Sequence, residues 1–196
     1  MATLAPVQVH TPANLDACRL LLNQLLGANL YSREKMASDA VDPEALLLAT
    51  IDGERVIGTA VCRLLYPEDA DYYRAFGRTA LELFGRHKMG SLEAVAVTPT
   101  RQRQGVGKRL TQAQMEWLAE QGCDVAVTVS WIAGGNSASA PMYERLGFVG
   151  TPPVADFYLE ESVENGWTCP FCKGPCRCAG AMFYRELHPA ALEAGA

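Results

Sequence analysis

The 196-residue sequence predicts an α/β (α+β) fold in which a mixed, mostly antiparallel sheet is flanked by helices. Three observations predict it. Apolar stretches of strand length alternate with stretches of helical period along the chain. Two of the strands are joined by Asp52-Gly53, a tight-hairpin signal that makes them antiparallel. A third strand, at 91–97, ends at Pro99 and passes through a glycine loop straight into a helix.

The elements follow in order. Residues 7–9 form a short strand. A helix over 12–30 carries Leu15, Cys18, Leu22, Leu25 and Leu26 on one face, and a second short helix covers 33–40. Strands at 46–50 and 56–65 flank the hairpin. Residues 68–90 follow as an insertion. Tyr72, Phe76, Ala80 and Leu83 are helically spaced there, while Arg74, Arg78, Arg86, His87 and Lys88 lie on other faces. This reads as an amphipathic helix that caps the sheet or meets a second copy, or as a basic lid. The 91–97 strand leads to a helix over 105–121 with Val106, Leu110, Ala113 and Trp117 on one face. Then come a buried strand at 125–131, a short helix at 138–146 capped by Asn136 or Ser137, and closing strands at 156–160 and 181–187. Cys18, Cys62 and Cys123 take apolar periodic positions and read as core.

Composition sets bounds on function. A chain that is 49% hydrophobic and 20% charged is ordinary for a soluble globular protein, and its length suits one domain spanning 1–196. With 22 acidic against 17 basic residues, it lacks the basic excess of a general nucleic-acid binder, and it suits a cationic substrate. No signal-peptide pattern and no apolar run of membrane length is present. The expectation is therefore a cytoplasmic protein with reduced thiols, without nucleic-acid or membrane partners.

The chemistry concentrates in two blocks. The first is the loop Gln102-x-x-Gly105-x-Gly107 between strand and helix. The first N–H groups of a helix lack intrahelical acceptors, and the macrodipole adds positive potential, so such a loop suits a phosphate or diphosphate. Gly105 and Gly107 permit close approach, and Arg101, Arg103, Lys108 and Arg109 add charge. The pattern is neither a P-loop nor a dinucleotide fingerprint. The second block is Asn136-Ser-Ala-Ser-Ala-Pro-Met-Tyr143-Glu-Arg-Leu-Gly-Phe.

With these two blocks in this order, the sequence resembles the GNAT superfamily of acyl-CoA-dependent N-acyltransferases over about residues 91–150. Ser139 departs from the alanine usual in the family. The resemblance implies an N-acetyltransferase that moves an acetyl group from acetyl-CoA to a primary amine by direct attack in a ternary complex. It implies that Val95, Ala96 and Val97 pair with the pantetheine arm. Gln102, Arg103, Gln104, Gly105, Val106, Gly107 and Lys108 would hold the diphosphate, and Asn136 would bind pantetheine or fix the helix start. Glu93, two residues before Val95 on the same strand face, is the candidate general base, with an ion-paired or solvated glutamate as the alternative. Tyr143 is the candidate acid for the departing thiolate, with core packing as the alternative. The acceptor is a small-molecule or peptide amine, and a homodimer is open. A transferase of another acyl-CoA, or a non-catalytic acyl-CoA-binding or zinc-knuckle module, stays as the alternative function.

A second insertion, at 165–180 between the last two strands, holds Cys169, Cys172, Cys176 and Cys178 within ten residues. Cys-Pro-x-Cys followed by glycine aims two thiolates at one metal, and the second pair arrives four residues later. This spacing points to a structural Zn2+ with four thiolates, with redox-active thiols or an iron–sulfur centre as alternatives. In GNAT enzymes this loop borders the acceptor pocket. His10, His87 and His188 have no partner motif and read as surface or packing residues.

Overall fold

In a computed structural model that describes residues 4–9 and 11–187, the apolar stretches form one seven-stranded sheet. The strands are β1 (Val7–Gln8), β2 (Ala45–Asp52), β3 (Arg55–Leu65), β4 (Met89–Val97), β5 (Val125–Ile132), β6 (Val149–Gly150) and β7 (Ala179–Glu186). Their order is β1-β2-β3-β4-β5-β7-β6, antiparallel except for the central β4–β5 pair. His10 and His188 lie outside the described residues. The hairpin signal works as its chemistry requires: Asp52 pairs with Arg55 across a two-residue turn, and Gly53 alone takes positive φ (62°), which suits a type II′ turn.

Helices cover both faces. On one, α1 (Pro12–Leu25) and α2 (Arg33–Asp39) bury Cys18, Leu22 and Met36 against Leu47, Ala49 and Val61. On the other, α5 (Val106–Glu120) lays Val106 and Leu110 on Ile57, Ala60 and Cys62. Its Met115 and Leu118 pack with Tyr143 of α6 (Ala140–Arg145) and with Phe183 of β7. Cys18, Cys62 and Cys123 are all buried in these cores. Among the described residues no helix is long and apolar enough to cross a membrane.

Three local expectations change. The insertion after β3 is not one helix. It folds as 3-10 turns around α3 (Ala70–Tyr73) and α4 (Arg78–Phe84), broken at Gly77 with φ 75°. The break turns Tyr73, Phe76 and Ala80 onto Met89, Val125 and Met182, so the segment caps the sheet, while Tyr72 faces the cavity described below. Arg74 pairs with Asp71 and Arg78 with Glu82, and none of Arg74, Arg78, Arg86, His87 and Lys88 lines that cavity, so the segment offers it no basic lid.

Residues 156–160 are not a strand. The outer edge of β7 is taken earlier, by Val149 opposite Tyr184 and Gly150 opposite Phe183. Pro152 and Pro153, which lack N–H donors, then interrupt that ladder, and a single bridge between Val154 and Gly180 closes it. The chain turns and forms α7 (Leu159–Glu164), with Glu160 and Glu161 in its favourable first turn. Finally, the helix at 138–146 begins at Ala140, and neither Asn136 nor Ser137 is its N-cap residue. Ser137 Oγ still accepts from the Ala140 N–H (3.1 Å), whereas Asn136 is turned back toward the Gly134 carbonyl (3.3 Å).

Candidate active site

The site starts from a parting of two strands. β4 pairs with β5 only from Met89 to Ser91, opposite Val125 to Val127. Beyond Ser91, β4 stays with β3 while β5 stays with β7, so the strands splay. Thr128 Oγ1 donates to the Leu92 carbonyl (2.9 Å) and closes the base of the wedge. Above it opens a cavity of about 1150 Å3. Among the described residues the edge of β4 that faces it has no partner strand, and enclosed backbone groups call for a hydrogen-bonding ligand.

β4 also carries an irregularity. Val61 pairs with Ala94 and Cys62 with Leu92, which leaves Glu93 as the extra residue of a β-bulge. From the far side, Gln114 Nε2 of α5 donates to Val61 O (2.7 Å) and reaches Ala94 O (3.5 Å), pinning the bulge from inside the core. Bulges re-aim side chains, and here Glu93 and Val95 both line the cavity.

At one end of the cavity the loop meets α5. Gly105 is the N-cap residue, left-handed at φ 81°, and Arg103 before it is also left-handed at φ 59°. This bend leaves the N–H groups of Val106, Gly107 and Lys108 without intrahelical acceptors at the mouth of the helix. Arg103, Lys108 and, from α6, Arg145 line the same end. Gly107 is helical. A Cβ there would meet Met142, Val97 and Val95 no closer than 3.6 Å, so glycine serves to keep the cavity open rather than to avoid a clash. Gln102 Nε2 donates to Val97 O (3.0 Å) and ties the loop to the end of β4. Two expected cations are diverted: Arg101 pairs with Asp52, and Arg109 turns to Gln104 O (3.5 Å).

At the other end stands Glu93, its side chain 22% exposed, with Arg63 at 3.8 Å and Lys35 at 4.0 Å. Burial pushes its carboxyl above the usual range, and the two cations only partly offset this. Both cations have nearer partners, Arg63 in Asp69 (3.4 Å) and Lys35 in Asp39 (3.0 Å). Tyr143 lies between the two ends, buried but lining the cavity, with its hydroxyl 3.4 Å from Thr128 Oγ1. Burial raises its phenol further, and Thr128 opposes this.

Of the sequence-nominated residues, the structure gathers Glu93, Tyr143, Val95, Val97, Gln102, Arg103, Gly105, Gly107 and Lys108 around one cavity. Ala96 and Val106 are instead buried in the core, and Gln104 and Asn136 are exposed away from the cavity lining. Sequence reading missed Arg145, Tyr31, Tyr158, Glu161 and Trp167, which also line it. Tyr158 and Glu161 share the start of α7, while Tyr31, Arg145 and Trp167 come from other segments.

Beside this end, the Sγ atoms of Cys169, Cys172, Cys176 and Cys178 all lie within 4.8 Å of one another, and none is in a disulfide. The Cys172 N–H donates to Cys169 Sγ (3.3 Å) and the Arg177 N–H to Cys172 Sγ (3.4 Å). Burial works against the Cys169 thiolate, but neighbouring backbone N–H groups outweigh it and lower its pKa. Four thiols converging in a knuckle stabilised by N–H···S bonds are a donor set that fits tetrahedral zinc. Three ties fix this knuckle to the cavity walls. Thr168 and Ala28 exchange N–H···O bonds of 2.9 Å, the Cys176 N–H donates to Ser162 Oγ of α7 (2.8 Å), and the cysteines pack with Trp131, Tyr158 and Trp167.

Comparison with known proteins agrees with this geometry. Residues 14–148 match the profile of the acetyltransferase (GNAT) family. Among curated relatives, a mycothiol acetyltransferase of Arthrobacter sp. is 29% identical over 58% of this chain and 30% of its own length. Another, from Kocuria rhizophila, is 30% identical over 59% of this chain and 33% of its own. The chain thus spans about a third of the length of the curated relatives it matches. Among solved structures, the ribosomal-protein-S18-alanine N-acetyltransferase of Escherichia coli superposes with a TM-score of 0.63 at 18% identity, covering 94% of each chain. Arabidopsis thaliana NAA60 in complex with acetyl-CoA gives 0.69 at 13% identity, covering 94% of this chain and 99% of that one. At these identities the likeness is one of fold.

Proposed function

The chain belongs to the GNAT acetyltransferase family, and on that premise we propose that it moves an acetyl group from acetyl-CoA to a primary amine by direct attack in a ternary complex. One observation carries this: the unpartnered edge of β4 and the N-terminus of α5 open onto a single cavity that also holds a carboxylate and a phenol. Acetyl-CoA supplies an activated thioester. The chain's own groups do the rest. The N–H groups of Val106, Gly107 and Lys108, with the charges of Arg103, Lys108 and Arg145, hold the diphosphate. Backbone donors of β4 at Val95 to Val97 orient the thioester arm and its carbonyl, and preorganised donors of this kind are worth about 3 kcal/mol. Glu93 takes the proton of the acceptor ammonium, through a water where direct reach fails. As the new C–N bond forms and the C–S bond breaks, Tyr143 gives its proton to the departing sulfur, and the second proton that the nitrogen sheds on becoming an amide restores the phenol through solvent.

Residues 1–196 act in this scheme as one domain, with 66–90 and 165–180 as insertions. Zinc at Cys169, Cys172, Cys176 and Cys178 serves as a closed structural centre, supported by the four converging Sγ atoms. It staples the α1–α2 loop, α7 and the end of β5 into the acceptor-side wall. A chain whose seven cysteines form no disulfide and which draws on acetyl-CoA suits the cytoplasm.

Two measurements test these points. Calorimetry with CoA, followed by release of free thiol from acetyl-CoA across a panel of amines, is expected to give binding and amine-dependent turnover. Binding without turnover for any amine would favour a non-catalytic acyl-CoA-binding module, and no binding would reject the assignment of the cavity. Elemental analysis of the purified protein is expected to give one zinc per chain, and iron or no metal would refute the zinc.

A further inference from the structure

The acceptor end of the cavity has an unbalanced charge. Arg63 and Lys35 are paired with Asp69 and Asp39 and also face Glu93. Glu161, which α7 brings to the same cavity, makes no ion pair among the described residues, and the charge it feels most is the like charge of Glu93. An enclosed carboxylate without a cation is costly, and the usual remedy is a counter-ion. Next to it, Trp167, a residue only 6% exposed, lines the cavity, and its indole N–H stands toward the Glu161 carboxyl outside strict hydrogen-bond geometry, offsetting part of that carboxyl's burial. Tyr158 packs edge-on against Trp167, with ring centroids 6.4 Å apart. An unpaired carboxylate beside aromatic rings attracts an ammonium group, both by charge and through the ring quadrupoles.

This position is not incidental to the fold. Gly27 has no Cβ, and one added there would stand 2.8 Å from the Trp167 ring, so the α1–α2 loop is shaped to seat that indole. Ser162, next to Glu161, is buried and holds Cys176. The knuckle therefore fixes the helix that presents the carboxylate.

Building on the acyl transfer proposed above, we propose that the acceptor is an amine carrying a second cationic nitrogen, which Glu161 receives beside Tyr158 and Trp167 while the reacting nitrogen sits at Glu93. Glu161 then determines specificity by reading a group that does not react, and the neighbouring Trp167 N–H helps to orient the carboxyl that reads it. The two carboxylates serve different nitrogens. One meets the charge that must be lost before attack, the other a charge that persists throughout.

The test uses the full-length protein saturated with CoA, titrated by calorimetry with α,ω-diaminoalkanes and with monoamines of equal chain length. The best diamine is expected to bind about 10-fold more tightly than its monoamine. Glu161→Gln is expected to abolish that ratio while CoA affinity, measured on the same sample, reports that the variant is folded. Equal affinity for diamine and monoamine in the unmodified protein, or a ratio that survives Glu161→Gln, would overturn the proposal. The binding of CoA alone reports on the acyl-CoA cavity, so a failure of that assignment is seen separately from a failure of the diamine preference.

Discussion

The two ends of the cavity are built in different ways. The end proposed to hold the diphosphate is made mainly of backbone: a left-handed Gly105, three N–H groups at the start of α5 and a strand edge without a partner among the described residues, all within residues 95–108. The end proposed to take the acceptor is made of side chains, with Tyr31, Glu93, Trp167 and the α7 pair Tyr158 and Glu161 arriving from four parts of the chain. A backbone site recognises what every cosubstrate of a type shares, since each residue offers the same N–H whatever its side chain. A side-chain site can change its ligand by substitution without altering the fold. Chemistry common to a family therefore sits at one end of this cavity, and individuality at the other.

The sharpest way to break this contrast is Glu93→Gln. It leaves the diphosphate end intact and is expected to lower kcat/KM by about 100-fold, as for loss of a general base. Burial holds the Glu93 carboxyl above its usual range, with Lys35 and Arg63 opposing and Asp39 and Asp69 reinforcing the shift. The base works when ionised, so activity is expected to rise with pH through a value above that of an ordinary carboxylate, and the Gln variant is expected to lose that limb. A limb identical in both proteins would assign the proton to another group.

Gly105→Val attacks the other end. A β-branched residue at φ 81° costs about 2 kcal/mol, and its Cβ would meet Arg109 Nη1 at 2.9 Å. Acetyl-CoA affinity is expected to fall about 30-fold by that cost, with the acceptor KM unchanged. A matching loss on the acceptor side would mean that the two ends are not separable.

Tyr143→Phe lies at the junction. It is expected to reduce kcat about 10-fold and to spare both KM values, because the ring still packs with Phe148 and Phe183. Full activity would make Tyr143 a packing residue only.

Chelating the knuckle metal is expected to have the smallest effect. The acceptor KM should rise about 5-fold through lost preorganisation, and acetyl-CoA affinity should hold. Acceptor kinetics that ignore the metal would detach the knuckle from the cavity.

The same contrast governs what the sequence disclosed. Strand β4, the Gly105 turn and helix α5 were legible because their determinants are local: an apolar run, a glycine where φ is positive and a helical stripe. The four cysteines were legible because knuckle spacing is short-range. Spacing left the helix cap open between Asn136 and Ser137; a backbone bridge between Ala133 and Asn136 turns Asn136 outward, and Ser137 makes the cap contact although Ser139 is the N-cap residue. The strand expected at 156–160 failed because its partner edge was already taken by Val149 and Gly150, a competition that no local pattern records. Glu161 and Trp167 gave no signal at all. Their meaning arises only when α7 and the knuckle close over the splayed strands.

One consequence follows from the supernumerary residue in β4. Strand β3 counts one residue fewer than β4 between Val61 and Cys62, and the surplus is Glu93 itself. A shortened descendant lacking that single codon would regain a regular ladder and give up no hydrophobic side chain. It would be expected to fold, and Gln114 would still find the Val61 carbonyl. Yet it would present no carboxylate beside Val95. On the role proposed for Glu93, catalysis is exposed to deletions as much as to substitutions, and a census of strand lengths among descendants would then separate transferases from silent binders before any assay is run.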